Sequence, residues 1–276
     1  MKGSRTIGGI VMTVVLGIVF FVPLLFPLYW IVSASLQNLG TIFANPPQLF
    51  PTHIIWGNYA VAFGSILGNI ATSLIISVCV VAISLAIGVP AAYSLARRRG
   101  RFITAILLVM LVTQMIPQIS LSIAFYTIFH QYGLLGSYTG LILADSVYGV
   151  PFVIIVVRAF LVTLPGELFD AAAVDGASEI RQFIFVSLPL AVPAMVTVGL
   201  FAFLGAWGDF VNAFTLNSGG GPQPLTLGLY KFVTEYNTNT GAIFAAATLA
   251  AIPTGILLFV FQRWIGSGLR AGSLKG

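Results

Sequence analysis

"DAAAVDGASEIRQF", residues 170–183, places Asp170, Asp175, Glu179 and Arg181 in a short stretch with hydrocarbon on either side. Before it runs "YTGLILADSVYGVPFVIIVVRAFLVTL" (138–164), and after it "LPLAVPAMVTVGLFAFLGAW" (188–207). A compact charged segment between apolar runs of that length reads as a loop between two membrane spans. The whole chain agrees. It is 58% hydrophobic and only 7% charged, with a mean hydropathy of +1.03, whereas soluble domains carry about 25% charged residues. No Lys, Arg, Asp or Glu occurs between Arg5 and Arg97. A helix crosses the hydrocarbon core with roughly 20 apolar residues, so there is room for several spans. The runs are continuous and lack the ten-residue alternating segments of a β-barrel. The expected fold class is an all-α membrane protein with six transmembrane helices.

The spans are read at 7–32, 68–96, 102–127, 138–162, 188–212 and 243–266, forming one transmembrane domain over 1–276. Pro23 and Pro27 are tolerable in the first, because neighbouring helices re-satisfy the backbone. A secretory signal is the rival for this segment, with "SAS" at 33–35 as a faint cleavage site, but its apolar run exceeds an h-region of about 7–15 residues. Residues 33–66, with "NPPQLFPTH", and 213–242, rich in Gly, Asn and Thr, read as external loops. The tail is 267–276.

Charge positions set the expected orientation. With the N-terminus inside, Lys2, Arg5, Arg97, Arg98, Arg99, Arg101, Arg181, Arg263, Arg270 and Lys275 face the cytoplasm, and Arg158 can snorkel there; Lys231 alone falls outside. The net charge of +5 is then the positive-inside bias and gives no support for nucleic-acid binding. Cys79 is the sole cysteine, and His53 and His130 are far apart, so a disulfide framework or metal site has little to build on.

In the charged passage, Pro165 suits a first helical turn, Glu167 and Asp170 favour the N-terminal dipole, and Gly176 supplies a left-handed stop. Asp175 or Ser178 can cap a second short helix, "SEIRQFIFV", before Leu188 and Pro189. Two readings fit these residues equally: a docking knob with a smooth face at Ala171 and Ala172, or a solvated amphipathic loop.

Beyond this, "ELFDAAAVDGASEIRQFIFVSLPL" (167–190) resembles the EAA loop of binding-protein-dependent ABC importer permeases. The pattern falls on Asp170, Ala171, Ala172, Gly176, Leu188 and Pro189, with Asp175 and Ala177 completing "DGA"; the motif's Glu is here Asp170, one methylene shorter. "FLGAWGDFVNAF" (203–214) and "FQRWIGSGLRAGSLKG" (261–276) are similar to the carbohydrate-importer subfamily, of the maltose-transporter G-subunit type. The resemblance implies that the loop, from Glu167 onward, is a coupling element held by a cytoplasmic ATPase dimer. It implies a tail contact with that ATPase at Arg270, Gly272 and Lys275. It also implies a contact of the 219–222 turn (Gly219, Gly220, Gly221, Pro222) with an extracytoplasmic sugar-binding protein. A second, F-type permease subunit would complete the pathway, in a bacterial or archaeal cytoplasmic membrane.

The chain itself carries no ATP site. A P-loop needs Gly followed directly by Lys, and the three lysines follow Met1, Tyr230 and Leu274. ATP and Mg therefore belong to the partner, no cofactor is expected on this chain, and no catalytic residue is assigned. An ion-coupled secondary transporter would need coupling residues and repeats at midplane, and an intramembrane enzyme a nucleophile with its base; neither is visible. A permease for a glycerophosphodiester remains the alternative to sugar.

Ionisable groups inside spans usually face a cavity or a partner. Asp145 lies seven residues into span four, about 10 Å from its end at 1.5 Å per residue. Asp209 closes span five. Gln114 and Gln118, four apart in span three, are expected on one helix face. A hydroxyl-binding pathway is the functional reading of these four. Interhelical hydrogen bonding is the structural one, favoured for the glutamines, and a structural gate fits Asp209 equally well.

Overall fold

The computed structural model describes residues 7–217, 220–235 and 239–273, and every regular element in them is helical. In chain order these are α1 (Ile7–Ser35), α2 (Leu39–Ile42), α3 (Gly57–Ala96), α4 (Arg101–Thr113), α5 (Gln118–Gln131) and α6 (Tyr138–Leu161). There follow α7 (Glu167–Val174), α8 (Glu179–Gln182), a π-helical turn (Phe183–Ser187), α9 (Leu188–Gly208), α10 (Val211–Leu216), α11 (Leu225–Glu235) and α12 (Thr240–Ser273). Five stretches are long and apolar enough to cross a membrane: Met12–Ser35, Gly57–Ala96, Tyr138–Leu161, Glu179–Gly208 and Thr240–Trp264. The pair α4–α5 makes a sixth if counted as one broken span. Large side chains such as Phe20, Leu24, Phe102, Met115 and Phe259 point outward, a surface suited to lipid. The chain is an all-α multi-pass membrane protein.

Three elements depart from the sequence reading. The span expected at 102–127 is broken: α4 and α5 meet at 92°. Pro117 has no N–H to donate and biases Ile116 away from helix, so the ladder stops before it and restarts on the Pro117 carbonyl, which accepts from Ser120 and Leu121. The loop expected at 33–66 is partly helix, because α3 begins at Gly57. At 1.5 Å per residue its 40 residues span about 60 Å, more than a ~30 Å core holds even at a steep tilt, so part of it stands clear of the hydrocarbon. The loop expected at 213–242 contains the end of α10 and all of α11, and α12 continues past 266 to Ser273.

Contacts sort the structure into two compact units. The first comprises α1, α2, the start of α3, the end of α11 and the start of α12. There the Asn58 amide donates to Ser35 O (2.9 Å) and Gln37 O (3.0 Å), taking up carbonyls left open where α1 ends. Tyr29 and Ser33 both donate to Leu49 O, at 2.6 and 2.7 Å, and fold the segment after α2 back along α1. Ala242, Ala245 and Ala246 are fully buried on α12.

The second unit holds the rest, built around α3, α6 and α9. Its main core joins Val89, Ala92 and Tyr93 to Val153, Val157 and Leu161, with Ala191 and Val198 from α9 and Phe169 from α7. The close approach of α3 to α6 depends on Gly88: a Cβ there would lie 2.6 Å from a Val153 methyl. Small residues at such crossings are the usual means of bringing membrane helices together. Gly88→Ala is therefore expected to destabilise by about 1–3 kcal/mol through overpacking. Gly68→Ala, with open space around it, should be neutral or slightly stabilising. Thermal unfolding of both variants in detergent checks the contrast.

Candidate functional site

Within the second unit a cleft of about 290 Å³ opens between α5, α6 and α9. Gln114, Gln118, Asp145 and Asp209, all singled out in the sequence, line it together, joined by the aromatic side chains of Tyr148, Phe152 and Phe201. Among the described residues no lysine or arginine lines it. Gln114 and Gln118 do not share a helix face as expected. They flank the Pro117 break, Gln114 ending α4 and Gln118 starting α5, and the bend turns both toward the cleft.

The polar groups satisfy one another across helices. Asp209 stands at the end of α9 and caps α10: its carboxylate accepts from Asn212 N (3.4 Å) and Ala213 N (3.1 Å). It also accepts from the Gln118 side-chain amide. An acid at a helix start takes up orphan N–H groups and meets the positive end of the dipole. Asn212 then donates through Nδ2 to Asp145 Oδ1 (2.8 Å) and accepts from Ser122 Oγ (2.5 Å). Gln114 Nε2 donates to the Tyr148 carbonyl (3.1 Å). The glutamines thus bond across helices and still border the open space. Asp145 finds an amide partner and no cation. Among the described residues no group of three His, Cys, Asp or Glu side chains is arranged to hold a metal.

A second candidate site lies at the opposite end of α6 and α9. α7 closes in a Schellman arrangement: Ala177 N donates to Ala172 O (2.9 Å) and Gly176 N to Ala173 O (3.0 Å), with Gly176 at φ +78°. Glu167 and Asp170 occupy the first turn of α7, and Asp175 is its C-cap. Ser178 takes the backbone position of an N-cap for α8 but makes no side-chain capping bond. Phe169 is buried and carries the Arg97 guanidinium over its ring at 4.5 Å, while Gln182, also buried, bonds Ala177 O and Arg97. Leu188 packs beside the main core, and Pro189 starts α9. The side chains of Asp170 and Ala171 are exposed, as are the apolar ones of Leu168, Val174 and Ile180.

The remaining sequence candidates are placed less fully. Gly220, at φ +92°, Gly221 and Pro222 turn back onto the unit: Gly221 abuts the Gly136 backbone, and Pro222 O accepts from Asn217 (3.0 Å). This turn is packed down, because Gly136 N and Asn69 tie its two flanks through Leu216 O and Gln223 O. Gly219 and Lys275 lie outside the described residues, as does the side chain of Arg270, and Gly272 is described only as part of α12.

Residues 84–271 match the family described as the binding-protein-dependent transport system inner membrane component. The chain belongs to that family. It is 34% identical to the diacetylchitobiose uptake system permease protein DasC of Streptomyces coelicolor, over 99% of this chain and 100% of that protein. It is 31% identical to the sulfoquinovosyl glycerol transport system permease protein SmoH of Agrobacterium fabrum, over 91% and 89%. Its fold matches a chain of a bacterial ABC transporter involved in import of the acidic polysaccharide alginate, with a TM-score of 0.76 at 23% identity, covering 95% of this chain and 98% of that one.

In this inner membrane component the residues that sequence reasoning missed are Asn212, Ser122 and Tyr148. Asn212 is the hub, at 0% exposure, and its one visible signal is the spacing Asp209-x-x-Asn212 just after an apolar run. Asn212→Leu keeps the branched shape but strips Asp145 and Ser122 of their shared partner. It should lower stability by on the order of 2 kcal/mol, measured by thermal unfolding, with Asn212→Gln, which keeps an amide, less damaging than Leu.

Proposed function

We propose that this chain forms half of the translocation pathway of an ATP-driven sugar importer, of the di- or oligosaccharide class. The observation that carries the reading is the convergence of Gln114, Gln118, Asp145 and Asp209 on one cleft beside three aromatic side chains. Sugar hydroxyls need carboxylate acceptors and amide donors, and the C–H faces of a pyranose pack on aromatic rings. Two carboxylates with no cation beside them favour a neutral solute over a phosphodiester. The name of one relative, a diacetylchitobiose uptake system permease protein, supports the same class.

The work is alternating access without covalent chemistry. A separate ATPase dimer binds ATP and Mg, and its closure moves the exposed face of α7 formed by Asp170, Ala171 and the apolar Leu168 and Val174. Since α8, the π-turn and α9 form one continuous helical stretch of 30 residues, that movement reaches Asp209 and the cleft. A second, F-type permease subunit completes the pathway, and an extracytoplasmic binding protein delivers the sugar, with the 219–222 turn and the tail at Arg270, Gly272 and Lys275 as further contact points. Both termini face the cytoplasm of a bacterial or archaeal cell, which puts the arginines at 97–99 on the ATP side.

Asp170→Lys reverses the charge offered to the ATPase, and Gly176→Pro cannot adopt φ +78°. Both are expected to lose ATP-dependent sugar uptake in reconstituted vesicles while inserting normally; unchanged uptake and ATPase co-purification would sink the coupling role. In the same vesicles Asp145→Asn, which keeps the size and removes the charge, should weaken uptake several-fold or shift sugar preference. Asp145→Leu should be worse. Parental transport by both would leave Asp145 a bystander and move the sugar contacts to the partner subunit.

A further inference from the structure

At the end of the second unit that bears α7, a separate pocket of about 250 Å³ is lined by Arg97, Arg98, Arg99 and Arg158. The apolar side chains of Ala96, Leu161, Val162 and Leu164 line it too, with Phe169 and Tyr93. Four arginines border this pocket, and among the described residues none forms an ion pair with a carboxylate. Their known engagements are partial. Arg158 donates only its Nε, to Leu95 O at 3.2 Å, and Arg97 lies over Phe169 with a long 3.5 Å contact to Gln182. The terminal amino groups of Arg158, and all of Arg98 and Arg99, are left to meet something else.

We infer that this pocket is a binding site for the phosphate headgroup of an anionic membrane lipid. The guanidinium fork matches phosphate oxygens in geometry and charge. The position suits a lipid: α6, long and apolar enough to cross a membrane, ends at Leu161 beside the end of α3 at Ala96, and a cluster of arginines at such an end fits the headgroup level. Its apolar lining suits the glycerol and first methylenes, which a free anion does not need. Basic pockets between spans at a membrane surface take acidic headgroups by the same logic. A bound headgroup would tie the ends of α3 and α6 to Phe169 of α7. The site stands on these two helix ends and does not depend on what crosses the cleft.

The test is native mass spectrometry of the purified transport complex in neutral detergent, titrated with short-chain phosphatidylglycerol, short-chain phosphatidylcholine or inorganic phosphate. Phosphatidylglycerol should bind on the order of tenfold more tightly than phosphatidylcholine, and the preference should shrink as salt is raised. A variant carrying Arg98→Gln, Arg99→Gln and Arg158→Gln should lose the preference while melting like the parent without added lipid. Equal binding of the two lipids by the parent overturns the site, as does full phosphatidylglycerol binding by the variant. Displacement of phosphatidylglycerol by an equal concentration of inorganic phosphate would make it a free-phosphate pocket and overturn the lipid assignment. So would indifference to lipid combined with loss of the ATPase from the variant complex, since the arginines would then face a protein. The parent's choice between lipids needs no variant, so it decides the matter even if the triple substitution fails to fold.

Discussion

Asp209 does three things at one point. Its backbone caps the end of α9, and its carboxylate takes up N–H groups at the start of α10 and holds α5 through Gln118. In a hydrocarbon setting, interrupted backbone is tolerated only where other groups take up the freed N–H and C=O. Here the side chain just past the last residue of α9 supplies the acceptor for the next helix. That placement sets Asn212 where it can reach both Asp145 and Ser122. The polar lining of the cleft is a consequence of how a chain break was made acceptable to the membrane.

The other end of the second unit is organised by packing. Gly88 lets α3 approach α6, and the resulting layer of Val89, Ala92, Val153 and Val157 gives Phe169 a seat. Tyr93 reaches Glu179 O (3.3 Å) and Arg97 covers the Phe169 ring. α7 has only eight residues, too few to be stable alone, so this seat and the Gly176 turn hold it in shape. Its exposed face is left free of that task.

Much of the architecture was legible because hydropathy is additive along a run: α1, α6 and α9 are close to the lengths their apolar stretches imply. The Schellman turn at Gly176 was legible for a different reason, since a single glycine after an alanine-rich turn has few other uses. What escaped was set by individual bonds. The kink at Pro117 disappears in any average over "LLVMLVTQMIPQISLSIAF", residues 107–125, although the proline decides the backbone there. The early start of α3 rests on Asn58 finding carbonyls 21 and 23 residues back, which no local pattern announces. The cleft followed the same division. Charged or amide groups in apolar surroundings, Asp145, Asp209, Gln114 and Gln118, were conspicuous by contrast. Asn212 and Ser122 were not, because a polar residue at the end of an apolar run looks like the end of a span.

The π-helical turn at Phe183–Ser187 has a mechanical meaning. Pro189 brings no N–H for the Phe185 carbonyl four residues back, and its ring crowds that carbonyl, so the hydrogen-bond ladder is thinnest where α8 passes into α9. A helix with such a gap bends easily at one level yet remains stiff to compression along its axis. The stretch from Glu179 to Gly208 therefore behaves as a strut with a swivel near its base. Bending of α8 against α9 would concentrate at that level, about 33 Å short of Asp209.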